Sequence, residues 1–167
     1  MKKIAIVGLG LIGGSLGLAL RGVGIPGVHL TGYTRRSETA FRARQRGAVD
    51  EIAGSLASCV EGAGLVIVAT PVAAMQSILG EIGSYLQEGC VVTDVASTKK
   101  MVMDWAAQSL PRGVSFVGGH TMAGKEIAGI EAAEGSLFKG STYCLCPGQG
   151  AVPAAVETVV SMVGLVG

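Results

Sequence analysis

The sequence predicts an α/β protein with a doubly wound, mostly parallel sheet and helices on both faces. Short apolar runs alternate with helical patterns along the whole chain, and strands that are apolar throughout are typical of parallel sheets covered on both sides. The first run leads into a glycine-rich turn and a helix. No repeat, low-complexity tract or linker divides the chain, so we expect one domain over residues 1–167.

In the first part of the chain, three strands alternate with three helices. The strands are predicted from β-rich apolar runs, the third being short and weak: Lys3–Val7, Val28–Tyr33 and Val49–Ile52. The helices are predicted from the spacing of their apolar residues, the first with several glycines: Leu11–Arg21, Glu38–Arg46 and Leu56–Glu61. This order is what a βαβ series requires, so the three strands should lie parallel.

The rest of the chain continues the alternation with a less regular section before its end. Apolar runs predict the strands Leu65–Thr70, Cys90–Val95, Ser115–Gly119 and Thr142–Cys146. Helical spacing predicts Val72–Leu86, Thr98–Leu110 opened by Ser97, a helix near Ile130–Ser136, and Val152–Met162 begun near Pro153. The seven strands would form one sheet with its covering helices.

Composition and charge exclude several classes of protein. Hydrophobic residues make up 49% and charged residues 15% of the chain, which is not the composition of a disordered protein. The net charge of +1 gives no overall attraction to nucleic acid or to an anionic membrane. The two long uncharged stretches contain glycines or a proline, and a strand followed by a helix explains each better than a membrane span. We expect a soluble cytoplasmic protein.

The cysteines and histidines do not form a metal-binding pattern. Four cysteines are irregularly spaced without a CxxC pair, and we interpret them as reduced, mostly buried thiols. The chain has two histidines, His29 and His120. We therefore expect no metal site.

The turn after the first strand, GLGLIGGS, matches the G-x-G-x-x-G pattern of dinucleotide-binding Rossmann domains. Gly8 would make the tight turn, Gly10 would let the backbone approach a pyrophosphate, and Gly13 would let helix and strand pack closely. The following helix N-terminus offers free N–H groups to phosphates. The expected cofactor-binding residues of this loop are Gly8, Leu9, Gly10, Leu11, Ile12 and Gly13. The alternative is a loop of flexible, closely packed glycines.

The second strand lacks the carboxylate that holds the adenosine ribose in NAD-binding domains. Thr34 occupies that position, and Arg35 and Arg36 follow. Thr34 would not repel a 2′-phosphate, and arginines donate charge-assisted hydrogen bonds to phosphate. We therefore expect NADP in preference to NAD as the cofactor. The alternative is a solvated basic turn.

Three further segments follow strands at the carboxyl edge of the sheet, where ligands bind in open α/β folds. The first contributes Ala69, Thr70 and Pro71, and the second Asp94, Ser97 and Lys99. The third begins at His120, which could accept a hydroxyl proton while hydride leaves the same carbon. The alternatives are a histidine simply hydrogen-bonded in a loop, a helix-capping Ser97 and an Asp94 that only fixes loop amides.

Together these segments resemble the prephenate/arogenate dehydrogenases of tyrosine biosynthesis. The resemblance rests on GLGLIGGSLGLAL, VIVATPV, VVTDVASTK and FVGGHTMAGKEIAGIEAAEGSLFKGSTYCLCP, which occur in order over essentially all 167 residues. It implies a cyclohexadienol substrate, prephenate or arogenate, whose hydroxyl proton goes to His120 as hydride passes to NADP and carbon dioxide leaves. Ser97 would hydrogen-bond and orient His120, and Thr121, Gly124 and Glu126 would join them at the substrate.

The chain departs from the family pattern in sequence and in length. Thr121 replaces a common proline, and Lys125, where a small polar residue is more usual, is expected to be solvated. Family members continue into a helical domain that forms a homodimer and adds substrate contacts, so we expect 167 residues to be a truncated product or a natural fragment that binds NADP but turns over poorly. Glu126 could also favour the amino group of arogenate.

Two other functions compete with this interpretation. Another NADP-dependent Rossmann dehydrogenase, such as a β-hydroxyacid dehydrogenase or pyrroline-5-carboxylate reductase, would share the glycine loop but would not need the His120 segment. A non-catalytic NADP-binding module would need only the cofactor site.

Overall fold

In the computed structural model, which describes residues 2–167, one seven-stranded sheet carries the strands in the order β3-β2-β1-β4-β5-β6-β7. Their bounds are β1 Lys3–Val7, β2 His29–Tyr33, β3 Glu51–Ile52, β4 Leu65–Val68, β5 Val91–Asp94, β6 Ser115–Thr121 and β7 Tyr143–Pro147. The first six run parallel and β7 pairs antiparallel with β6. The predicted α/β class and mostly parallel sheet are confirmed.

Helices cover both faces of this sheet. Their bounds are α1 Leu11–Val23, α2 Ser37–Gln45, α3 Leu56–Val60, α4 Val72–Ile82, α5 Lys100–Ser109 and α6 Pro153–Val166. Two short 3₁₀ turns, Gly83–Tyr85 and Ile130–Ala132, complete the regular structure. Pro153 begins α6 as predicted, since proline at the first helical position sacrifices no hydrogen bond.

The alternation of side chains along each strand divides the core into two layers. In β1, Ile4 and Ile6 face the layer shared with α1 and α6, and Ala5 and Val7 face the layer shared with α3, α4 and α5. All four are at most 1% exposed. Burial on both faces explains why these strands are apolar throughout.

The strand order places β1 between β2 and β4. The chain leaves β1 and β4 toward opposite faces of the sheet, which opens a crevice beyond their carboxyl ends. Because the first six strands are parallel, the turns after β1, β2, β4, β5 and β6 all emerge at this edge. The fold therefore brings together the segments that the sequence selected.

Several predicted element boundaries are wrong, and those of β3, β4 and α6 differ from the structure by two or more residues at one end. Helix α5 begins at Lys100 with Lys99 as its N-cap, so Ser97 does not open it. Strand β6 continues to Thr121 and contains His120. The predicted helix near Ile130–Ser136 is only a 3₁₀ turn. Helix α4 ends at Ile82, where a 3₁₀ turn takes over from the predicted helix Val72–Leu86.

The segment 122–135 crosses the outside of α1 instead of forming a helix of its own. Ile130 is 4% exposed and packs over Gly14, which has no side chain to block it. The Glu134 N–H donates to the buried Ser15 Oγ at 2.9 Å. These long-range contacts hold the segment, so its local helical pattern did not determine its conformation.

The four cysteines differ in how deeply they are buried. Cys59 and Cys90 are buried, whereas Cys144 and Cys146 on β7 are only partly buried, and all four are free. No helix within residues 2–167 combines the length and the apolar character that crossing a bilayer requires.

Candidate functional site

The glycine loop is held against the ends of two neighbouring strands. Gly8 has a φ of +99°, a conformation that favours glycine, and its N–H donates to the Tyr33 carbonyl at 2.8 Å. A Cβ at Gly8 would lie 2.6 Å from the Ala69 carbonyl oxygen. The loop therefore packs between the ends of β2 and β4, and a side chain at this position would push it away from both.

Gly13 and Gly10 differ in what surrounds them. A Cβ at Gly13 would collide with the Gly8 carbonyl oxygen, so the helix can pack on the turn only with glycine there. A Cβ at Gly10 would meet no atom of the chain within 4 Å. The packing of the chain does not explain Gly10, whereas close approach of a ligand to its backbone would.

Helix α1 starts at Leu11, immediately after Gly10. No side chain caps it, so the first backbone N–H groups remain available to a phosphate. Leu9 is fully buried with its side chain over Gly32 of β2, and Leu11 and Ile12 are partly buried. The side chain of Leu9 thus belongs to the core, and this residue could meet a cofactor only through its backbone.

The basic turn after β2 lies beside this loop. Thr34 is partly buried, while Arg35 and Arg36 are exposed, with Arg36 as the N-cap of α2. Neither guanidinium group has a hydrogen bond or ion pair with any residue from 2 to 167, although the Arg36 carbonyl accepts from the Ala40 N–H at 3.0 Å. Both guanidinium groups are therefore free to meet an anion, and Thr34 brings no negative charge near them.

Other arginines of this region are already engaged. Arg42 donates to Glu131 at 2.7 Å and to Glu38 at 2.8 Å, and Arg46 donates to the Ala133 carbonyl at 2.7 Å. The hydrogen bonds to Glu131 and Glu38 raise the pKa of Arg42 above its ordinary value. These residues fasten α2 to the segment that crosses α1, which distinguishes them from the two arginines of the turn.

The turn after β4 forms the opposite wall of the glycine loop. The Thr70 methyl group would lie 2.9 Å from a Cβ at Gly8. Its Oγ1 is buried without a hydrogen-bond partner in the described part of the chain. Ala69 is partly buried, and Pro71 is exposed as the N-cap of α4. An unsatisfied buried hydroxyl costs about 1–3 kcal/mol, which a hydrogen bond brought by a ligand would offset.

His120 and Ser97 emerge at the carboxyl ends of β6 and β5. His120 is the second-last residue of β6; it is partly buried and pairs across the sheet with Cys144. Ser97 is exposed in the loop before α5 and caps no helix. The structure contains no hydrogen bond between these two side chains, both of which it describes. Such contacts often form only in the complex with substrate.

Asp94 supports the loops instead of projecting from them. Its side chain is 1% exposed, and its oxygens accept from the Ala96 N–H at 2.9 Å and the Gly119 N–H at 3.1 Å. Lys99 donates to the same carboxylate. This arrangement corresponds to the alternative in which Asp94 fixes loop amides, and it leaves the side chain no path to a cofactor.

The residues after His120 divide into buried and exposed ones. Thr121 is 6% exposed, and its Oγ1 accepts from the Ala123 N–H at 3.2 Å. Gly124 and Glu126 are exposed. Lys125 is exposed, as expected, and its ammonium also pairs with Glu134 and donates to the Ala132 carbonyl at 3.2 Å. Lys125 closes the loop that displays Gly124 and Glu126.

Sequence reasoning gave no role to two residues near His120. Lys99 donates to the Gly119 carbonyl at 2.6 Å as well as to Asp94. The hydroxyl of Tyr143 is buried without a partner among residues 2–167, and burial, followed by the charge of Asp94, raises its pKa well above its ordinary range. For Lys99 a signal existed, namely a lysine close after a strand-ending aspartate. For Tyr143 we find none.

This edge of the sheet can perform two tasks. A glycine loop, a helix N-terminus and a free basic turn can hold a phosphorylated dinucleotide along β1, β2 and β4. The imidazole of His120 at the end of β6 can accept a proton, and the hydroxyl of Ser97 after β5 can hydrogen-bond a polar group at the same edge of the sheet. The two parts adjoin, as hydride transfer to a bound cofactor requires.

Comparisons with known proteins agree with this geometry. Residues 16–167 match the model of the nucleotide-binding domain of prephenate dehydrogenase. The prephenate dehydrogenase of Bacillus subtilis is 43% identical over 155 residues, which are 92% of this chain and 42% of that protein. The chain thus spans less than half of the length of this curated relative.

Two solved structures have the same fold over the whole chain. The arogenate dehydrogenase of Synechocystis is 34% identical with a TM-score of 0.91, covering 99% of this chain and 57% of that one. The prephenate dehydrogenase of Aquifex aeolicus, in complex with hydroxyphenyl propionate and NAD+, is 28% identical with a TM-score of 0.91, covering 100% and 58%.

Proposed function

This chain belongs to the prephenate dehydrogenase family, and from that membership we propose that it is the cofactor-binding part of an NADP-dependent prephenate or arogenate dehydrogenase. The observation that carries the proposal is the partly buried His120 at the end of β6, the strand beside β5, whose following loop carries the exposed Ser97. The reaction would serve tyrosine biosynthesis. Family membership argues against the competing interpretation as a β-hydroxyacid dehydrogenase or a pyrroline-5-carboxylate reductase.

The chemistry requires a group that accepts one proton. In the substrate, the hydrogen on the hydroxyl-bearing carbon leaves as hydride with both electrons of the C–H bond. The hydroxyl proton goes to a neutral imidazole nitrogen of His120. The bond to the ring carboxylate then breaks, its electron pair enters the ring as carbon dioxide leaves, and the ring oxygen of the aromatic product takes the proton back from His120. A bound nicotinamide dinucleotide would accept the hydride. Ser97 would hydrogen-bond the imidazole and orient it toward the hydroxyl.

NADP is the proposed cofactor because of the turn after β2. Arg35 and Arg36 are exposed without partners within residues 2–167, and Thr34 stands where a carboxylate would repel a 2′-phosphate. Each arginine–phosphate hydrogen bond contributes about 1.5–3 kcal/mol, which is roughly ten- to a hundredfold in affinity. The Aquifex relative was solved with NAD+, so the family does not by itself decide this choice.

Substrate contacts are proposed for the loop that Lys125 closes. Gly124 and Glu126 are exposed on it, and the carboxylate of Glu126 would favour the amino group of arogenate over the keto group of prephenate. Thr121 would contribute through its backbone, since its hydroxyl is engaged with Ala123. Further contacts and a homodimer interface are proposed for the additional length that the curated relatives have.

The test is NADPH formation by the full encoded polypeptide with prephenate and, separately, with arogenate. Reduction of NADP with either substrate supports the proposal, and the ratio of the two kcat/KM values gives the substrate preference. Tight NADPH binding with no turnover of either substrate would instead support a non-catalytic cofactor-binding module. A matched assay with NAD separates the cofactor proposal from the substrate proposal.

A further inference from the structure

Lys99 and Asp94 form an ion pair inside the carboxyl edge of the sheet. The Lys99 ammonium binds Asp94 Oδ2, and the two side chains are 17% and 1% exposed. Removing two charges from water is unfavourable unless further hydrogen bonds satisfy them. Asp94 is the last residue of β5, so the pair lies where the strand gives way to the loop of Ser97.

The pair holds both polar groups of Gly119, the residue before His120. Asp94 Oδ1 accepts from the Gly119 N–H at 3.1 Å, and the Lys99 ammonium donates to the Gly119 carbonyl at 2.6 Å. The parallel ladder between β5 and β6 ends with Thr93 opposite Val117. Beyond that point, the two side chains replace backbone pairing on the β5 side of β6.

The same carboxylate also fixes the loop after β5. Asp94 Oδ2 accepts from the Ala96 N–H at 2.9 Å, immediately before Ser97. One buried side chain therefore holds the backbone next to both Ser97 and His120. A Cβ at Gly119 would collide with the Asp94 carbonyl oxygen, so the two segments are also in direct backbone contact.

We propose that Asp94 and Lys99 act as positioning residues that set the location of His120 relative to Ser97. Lys99 would do so through its two acceptors within the chain, the Asp94 carboxylate and the Gly119 carbonyl. This inference rests on the proposed function, since it assumes that His120 accepts the proton. It goes beyond that function by assigning the geometry of the site to an ion pair that lies beneath it.

The kinetic test is Lys99→Met in the full encoded polypeptide, with Lys100→Met as the matched control. Lys100 is the exposed neighbouring lysine and has no partner within residues 2–167. We expect Lys99→Met to lower kcat about tenfold or more while the KM values for NADP and substrate stay within about threefold. The control should leave all three constants unchanged. A substrate KM that rises as much as kcat falls, or an unchanged kcat, would overturn the proposal.

A neutral double variant guards against simple unfolding. Lys99→Met alone leaves the Asp94 charge buried without its partner, whereas Asp94→Asn with Lys99→Met leaves no charge. We expect the double variant to keep a melting temperature near that of the wild type and to show the same loss of kcat. Wild-type kcat in a folded double variant contradicts a positioning role.

Hydrogen exchange gives a reading that does not depend on turnover. In Lys99→Met, the amides of 117–121 should exchange at least about tenfold faster, while those of 65–68 in β4 stay protected. Unchanged exchange at 117–121 would overturn the proposal even if activity fell. If the wild type turned over neither substrate, the proposed function would fail, and the exchange result would still decide whether the pair holds this strand end.

Discussion

The Gly8 N–H donates to the Tyr33 carbonyl at 2.8 Å, which joins the glycine loop to the end of β2. Thr34 is the next residue, so the loop that would hold the pyrophosphate and the turn that would select the ribose substituent form one surface. Arg35 and Arg36 extend from that surface into solvent. Cofactor preference should therefore depend on very few side chains.

Thr34→Asp with Arg36→Ala should shift the proposed cofactor preference from NADP toward NAD. The carboxylate would repel the 2′-phosphate and accept from a free ribose hydroxyl, and one charge-assisted contact would be lost. We expect at least about a tenfold shift toward NADH in the ratio of dissociation constants, measured by fluorescence titration. Arg44→Ala is the control, since Arg44 is an exposed arginine on α2. An unaltered ratio in the double variant would show that the turn does not read the phosphate.

Gly10→Ala and Gly13→Ala should have separate effects. The added methyl group at Gly10 meets no atom of the chain within 4 Å, so stability should change by less than about 1 kcal/mol, while dinucleotide affinity falls about tenfold or more. At Gly13 the methyl group collides with the Gly8 carbonyl, so stability should fall by about 1–3 kcal/mol. Urea unfolding and NADPH titration measure the two effects. If Gly10→Ala lowered the free energy of unfolding as much as the free energy of dinucleotide binding, the loop would have a purely structural role.

The thiols should react in two classes. Burial raises the pKa of Cys59 to about 12 and of Cys90 to about 11, so neither forms the reactive thiolate near neutral pH. Cys144 and Cys146 are only partly buried. Iodoacetamide at pH about 8 should alkylate the second pair in the native protein and the first pair only after unfolding, as counted by mass spectrometry. Native alkylation of Cys59 would contradict the packing of the layer under α3.

The same two pKa values predict an alkaline loss of stability. A thiol whose folded pKa lies above its unfolded value of about 8.5 keeps its proton longer in the folded state. The contribution of each buried thiol to the free energy of unfolding is therefore complete below the unfolded pKa. It is lost as pH rises toward about 11 for Cys90 and about 12 for Cys59. Urea midpoints should decline over this range. Cys59→Ala should flatten the decline, and an unchanged slope in that variant would refute the assignment.

The regular part of the fold could be predicted from the sequence because its signals are local. Strands β1 and β4 are mostly buried apolar runs, and the helices show apolar spacings that their own residues determine. The glycine loop was equally predictable, since the turn itself gives Gly8 its positive φ and Gly13 its close contact with the Gly8 carbonyl. These contacts explain why the motif marks the same place in sequence and in space.

The irregular part of the site depends on partners that are distant in sequence. The path of 122–135 is set by Ser15 of α1 and Arg42 of α2, and no local pattern reveals such contacts. Lys125 is exposed as expected, but no local pattern reveals its ion pair with Glu134, which follows only after a turn. Ser97 resembled a helix cap, yet Lys99 is held by Asp94 and Gly119, and α5 begins after it.

The most direct test of the central claim is the turnover of His120→Ala beside that of His29→Ala. His29 is the other histidine and lies at an exposed contact with Glu51, 3.2 Å away. If His120 accepts the hydroxyl proton, its loss should lower kcat by about 10²–10⁴-fold while NADPH binds as tightly as before, and His29→Ala should keep the wild-type rate. A His120→Ala enzyme that binds NADPH normally and turns over prephenate or arogenate at near wild-type rate would contradict the account.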